Sequence, residues 1–173
     1  MVFQLYFSVS DEHEKNDYWG PLMNYFLSQS DTIEIHCWNE EKEAVEEVKS
    51  MLKASLETVN ENNLTIFKGN ISLDVVNHLL SNNVNIEGKI KWFSIFLSKN
   101  ATTIFHSEHW GMEFFGPNVN EKDIAFIKSV YQMKQTLINI NSEITTFIYN
   151  NRGRLVQSLK NTILDNKWEE LNK

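Results

Sequence analysis

Residues 2–9, VFQLYFSV, set Phe3, Leu5, Phe7 and Val9 against the more polar Gln4, Tyr6 and Ser8. That period of two predicts a half-buried strand. A helix follows over 18–29, YWGPLMNYFLSQ. In TIEIHCW, residues 32–38, Ile33, Ile35 and Cys37 share one face of a second strand, and Glu34, His36 and Trp38 share the other. Over 40–59, EEKEAVEEVKSMLKASLETV, the positions Ala44, Val45, Val48, Met51, Leu52, Ser55, Leu56 and Val59 keep the 3.6-residue period of an amphipathic helix. LTIFKGNI (64–71) reads as a short strand, and SLDVVNHLL (72–80) as a helix capped by Ser72.

KIKWFSIFLS (89–98) is apolar on nearly both faces, which predicts a central strand covered above and below. It turns at Lys99–Ala101 into TTIFHSEHWGMEFF (102–115), so the pair is read as a hairpin. NEKDIAFIKSVYQMKQTLI (120–138) is helical in period. SEITTFIYNN (142–151) is β-branched but is read as helix from its neighbours, and RLVQSLKNTILDNKWEEL (154–171) as a closing helix. The order β-α-β-α-β-α-β-β followed by helices predicts one α+β domain over 1–173. Its sheet is expected to be mixed and packed by helices, with a helical C-terminal third.

Composition supports one globular fold: 173 residues, 42% hydrophobic, 23% charged, six Gly and two Pro. The lone cysteine, Cys37, excludes an intramolecular disulfide. The N-terminal stretch lacks the basic n-region and small-residue cleavage site of a secretory signal, and the apolar runs are too short to span a bilayer, so a soluble cytoplasmic protein is expected. Charge is uneven. Residues 1–60 carry 12 acidic and 4 basic side chains, although the whole chain is only −7. Nucleic-acid binding needs a basic patch, so this balance argues against it and favours a basic protein partner.

The richest chemistry lies in TIFHSEHWGMEFFGP, residues 103–117. An unbroken strand puts Ile104, His106, Glu108, Trp110, Met112 and Phe114 on one face, with Phe105, Ser107, His109, Glu113 and Phe115 on the other. A β-bulge at Gly111 would re-aim the side chains on one side of it. Imidazole and carboxylate suit a metal or acid–base site at His106, Glu108 and His109, joined by Glu113. The spacing HSEH lacks the helical geometry of HExxH, and a hydrogen-bonded His–Glu pair at a sheet edge explains the same residues. Cys37 is read as a structural thiol, because its neighbour His36 points to the opposite face. Arg152 and Arg154 flank Gly153 at an expected helix junction.

These residues predict a non-enzymatic, acidic protein-binding domain, in concrete form an inhibitor or immunity-type protein that occludes a basic partner. No cofactor is implied. The partner-binding candidates are Glu34, His36, Trp38, Glu40, Glu43 and Glu47, with Glu43 and Glu47 expected to share one exposed helix face. The alternative is a metal-dependent hydrolase centred on His106, Glu108 and His109.

Overall fold

A computed structural model of the protein describes residues 3–9, 15–53, 55–135, 144–150, 155–161 and 169–170. The elements run β1 (Phe3–Ser8), α1 (Lys15–Leu27), β2 (Thr32–Trp38), α2 (Lys42–Leu52), β3 (Glu57–Glu61), β4 (Leu64–Asn70) and α3 (Leu73–Ser81). Then come β5 (Ser94–Lys99), β6 (Thr102–Glu108), β7 (Glu113–Val119), α4 (Glu121–Gln135), β8 (Ile144–Asn150), β9 (Leu155–Asn161) and β10 (Glu169–Glu170). This is the expected α+β class, with β1–β7 and the four helices forming its body.

The strands form one sheet in the order β10-β9-β8-β1-β7-β6-β5-β2-β4-β3. Every pairing within it is antiparallel, which corrects the expected mixed sheet. The local signal for β-α-β was nevertheless sound. Counting antiparallel steps along the order makes β1 and β2 run the same way, as do β2 and β3, β4 and β5, and β7 and β8. Each of these pairs is joined through a helix, and each is split by at least one inserted strand. Parallel partners therefore exist without being neighbours.

The same topology decides where the helices go. The connections through α1 and α2 advance toward β3, and those through α3 and α4 step back from strands of opposite direction. Right-handed crossovers, which such connections almost always make, put all four helices on one face. The packing agrees: α1 lies against α3 and α4, and α2 lies against α3, β2 and β4. Beneath the helices the sheet buries Leu5, Ile33, Ile35, Cys37, Phe67, Ile95, Leu97, Phe105 and Phe114. Burial pushes the Cys37 thiol up to about 12, with Glu41 and Glu47 adding to the effect, so the thiolate is suppressed as a structural role requires.

Four local expectations are corrected. The helix expected over 40–59 stops at Leu52, because the β-branched Thr58 and Val59 pair with Phe67 and Ile66 in a β3–β4 hairpin. Its turn residues, Asn62 and Asn63, both have positive φ, a conformation asparagine tolerates. Residues 102–115 are two strands rather than one. His109, Trp110 and Gly111 have φ of 50°, 53° and 80°, so Gly111 belongs to a reverse turn and not to a bulge within one strand. A side chain at Gly111 would also meet Trp19 Cδ1 at 3.0 Å.

The strand read from 89–98 begins at Ser94, and its core face buries Ile95 and Leu97. Ile90 and Trp92 instead enter the core from the preceding loop. Finally, the C-terminal third is helical only through α4. Ile144–Asn150 and Leu155–Asn161 are strands, because β8 pairs with β1 and the β-branched content of ITTFI outweighs the helical character of its neighbours. Arg152 and Arg154 lie outside the described residues.

Candidate functional site on the helix-free sheet face

Alternation along each strand sends the residues between the core positions to the opposite face. Register then aligns them across the sheet. Tyr6 stands opposite Phe115, Phe115 opposite His106, His106 opposite Phe96, Phe96 opposite Glu34, and Glu34 opposite Lys68. One continuous cross-strand row thus crosses β1, β7, β6, β5, β2 and β4, on the face that no described helix covers.

The row is held by ring contacts and ion pairs. His106 stacks on Phe96 at 4.8 Å and 17°, and meets Phe115 edge-on at 5.0 Å. The His36 ring lies tilted against Phe96, 4.9 Å between centroids. Glu34 accepts from His36 Nε2 at 2.6 Å and pairs with Lys68 Nζ at 2.8 Å. Burial alone would raise the Glu34 carboxyl, but the bonds from Lys68 and His36 outweigh it and hold the group below the usual carboxylate range. His106 Nδ1 approaches Glu108 Oε1 to 2.5 Å. That contact lowers the Glu108 carboxyl against the opposing effect of burial, helped by His109 and His36.

Both carboxylates therefore titrate lower in the folded than in the unfolded chain. Their stabilising contribution is present above the ordinary value of 4.5 and is lost as pH falls through the lower folded values. Unfolding free energy measured by urea titration is expected to drop below about pH 4.5, and to drop less steeply in Glu108→Gln. Identical acid limbs in parent and variant would contradict this account.

The turn between β6 and β7 reverses the expected parity. Glu113 and Phe115 join His106 and Glu108 on the helix-free face, while Phe114 points with Phe105 into the core. His109 sits in the turn itself, with Nδ1 3.4 Å from Glu113 and its ring 5.4 Å from Phe93. His106, Glu108 and His109 thus come near one another without converging. Among the described residues no group of three or more His, Cys, Asp or Glu side chains is placed to hold a metal ion.

Glu34, His36 and Trp38 do share the outer face of β2, half-buried, as their spacing predicts. At the end of that strip Trp38 meets Phe93 at 5.2 Å, and Phe93 meets Trp110 at 4.9 Å. Glu41 ties the cluster to the start of α2 by accepting from Trp38 N and Trp110 Nε1. Glu40 and Glu43 are exposed beside it. Glu47 is placed differently. It is turned inward to accept from His78, Asn82 and Lys91, so it does not share the exposed arc with Glu43.

No protein-family model, curated protein or solved structure matches this chain. Its own geometry is therefore the basis for a functional reading. Tyr6, Phe96 and Lys68 are site residues that sequence patterning left unassigned. The signal for the first two was available in part, since both alternate with core positions and so belong to the outer face.

Proposed function

We propose that this chain is a non-enzymatic protein-binding domain that docks a basic protein on the helix-free face of its sheet, acting as an inhibitor or immunity-type protein that occludes its partner. The observation that carries the reading is the row Tyr6, Phe115, His106, Phe96, Glu34 and Lys68. Half-buried rings interleaved with carboxylates are suited to binding because their rotamers are already fixed by stacks and ion pairs, so little side-chain entropy is left to lose on docking. Charge gives the partner its sign. Glu34, Glu108 and Glu113 lie on this face with Lys68, and Glu40 and Glu43 extend the acidity around the Trp38 end. Such rim charges steer encounter, whereas the rings supply the contact that persists.

The reading is favoured over a metal-dependent hydrolase because His106, Glu108 and His109 do not form a ligand group. The test is selection from a displayed peptide library against the intact protein, followed by chemical-shift mapping of the selected peptides. Lys- and Arg-rich sequences carrying an aromatic or aliphatic residue are expected, with shifts at His36, Phe96 and His106. The Glu34→Gln, Glu108→Gln double variant is expected to weaken them by about tenfold or more. Selection of acidic or neutral sequences, or shifts confined to the helical side, would overturn the proposal.

A further inference from the structure

Glu108 and Glu113 are direct partners in the β6–β7 ladder. Residues so paired have Cβ atoms about 4.5–5.5 Å apart, and like charges at that position destabilise a sheet. Here each carboxylate faces an imidazole, Glu108 that of His106 and Glu113 that of His109, and the pair forms part of the wall of a cavity of about 230 Å³, together with Tyr6, His106 and Phe115. We infer that this cavity receives a single guanidinium group, the side chain of an arginine presented by the partner, an assignment that rests on the protein-binding reading above.

Three features select that chemistry. The two carboxylates each spend only part of their capacity on neighbours: Glu108 on His106, and Glu113 on His109 and on a hydrogen bond from Tyr6. A carboxylate offers about four lone-pair sites, so acceptor positions remain for a forked donor. The aromatic walls suit a flat, weakly hydrated cation, which stacks on a ring while its edge bonds to oxygen. Among the described residues of the row the lysine, Lys68, lies on β4, three strands from β6, and is held by its neighbour Glu34, so it does not neutralise the pair from within. A metal ion is disfavoured because the described residues supply no ligand group of three. An arginine would place a forked donor between the oxygens that Glu108 and Glu113 leave free, a contact unavailable to an uncharged side chain.

The experiment titrates the intact protein with N-acetyl-arginine methylamide and with its lysine and citrulline counterparts, observing the rings of Tyr6, His106 and Phe115 by NMR. Saturable binding of the arginine probe in the low-millimolar range is expected, with the lysine probe weaker and the citrulline probe without effect. Glu113→Gln is expected to weaken the arginine probe about tenfold. The same variant should leave the melting temperature close to the parent's, since the amide oxygen still accepts from Tyr6. Glu108→Gln serves as the second variant should the first alter the fold. Equal response to citrulline, shifts centred elsewhere, or stoichiometric occupation of the cavity by Zn²⁺ or Mn²⁺ would overturn the inference.

The two proposals can fail separately. Basic peptides that bind across Phe96 and His36, with no arginine response in the cavity, would leave the binding domain standing and remove the arginine site. An arginine response in a protein that selects no basic peptide would preserve the site and remove the docking function.

Discussion

Glu47→Ala is expected to destabilise the protein by about 3–5 kcal/mol, the range for breaking one side of a buried ion pair. The Glu47 side chain is 13% exposed, and that of Lys91, whose ammonium it meets at 2.8 Å, is 9% exposed. The same carboxylate accepts from His78 Nε2 at 2.6 Å and Asn82 Nδ2 at 2.8 Å, joining α2, the end of α3 and the loop before β5. Alanine removes all of these acceptors and leaves a nearly buried cation unpaired. Sequence reasoning treats Glu43 and Glu47 alike; the structure separates them, so Glu43→Ala is expected to change stability by less than about 0.5 kcal/mol. Urea denaturation of the single variants and of Glu47→Leu, Lys91→Met gives the comparison. The double variant should recover much of the loss, because the orphaned charge goes with its partner. A cost below about 1 kcal/mol for Glu47→Ala would place the pair among ordinary surface contacts.

Phe105→Ala should be similarly damaging, at about 3–5 kcal/mol. Phe105 is fully buried on the core side of β6, stacked on Phe26 of α1 at 4.0 Å and 6°, with Phe114 at 6.0 Å. Truncation empties the space between the central helix and the strand that carries His106 and Glu108 on its other side. Phe105→Leu retains most of the apolar volume and should cost less. Chemical denaturation with unchanged m-values would assign the loss to the native core. Near-parental stability of Phe105→Ala would mean that α1 can settle onto β6 and close the gap.

The site was legible in the sequence where a period of two suffices. Glu34, His36 and Trp38 share a face because alternate residues of any strand do. Glu113 and Phe115 could not be assigned that way, since their parity depends on a turn in which only Gly111 has the sequence signature of positive φ. His109 and Trp110 are held in the same region by the turn's own bonding, in which Trp110 N donates to Phe93 O and Trp110 Nε1 to Glu41. These partners lie 17 and 69 residues away in the chain. The row from Tyr6 to Lys68 is likewise a property of register across six strands.

The fold divides along the same line. Ser72 capping α3 through Val75 N is local chemistry and was readable. The end of α2 was not, because Leu56 and Val59 continue a helical period by coincidence while belonging to other structure. At residues 144–150 the β-branched run was the better guide, and the neighbouring helical patterns misled.

One end of the sheet is formed by β3, whose five residues, Glu57, Thr58, Val59, Asn60 and Glu61, are all exposed. Its outer edge offers unpaired backbone groups of the kind that recruit a second strand. Suppose another copy approached antiparallel and centred on Val59. Glu57 of each chain would then face Glu61 of the other, placing two like-charged pairs in one short ladder. The glutamates at the two ends of β3 therefore make this self-pairing electrostatically unfavourable.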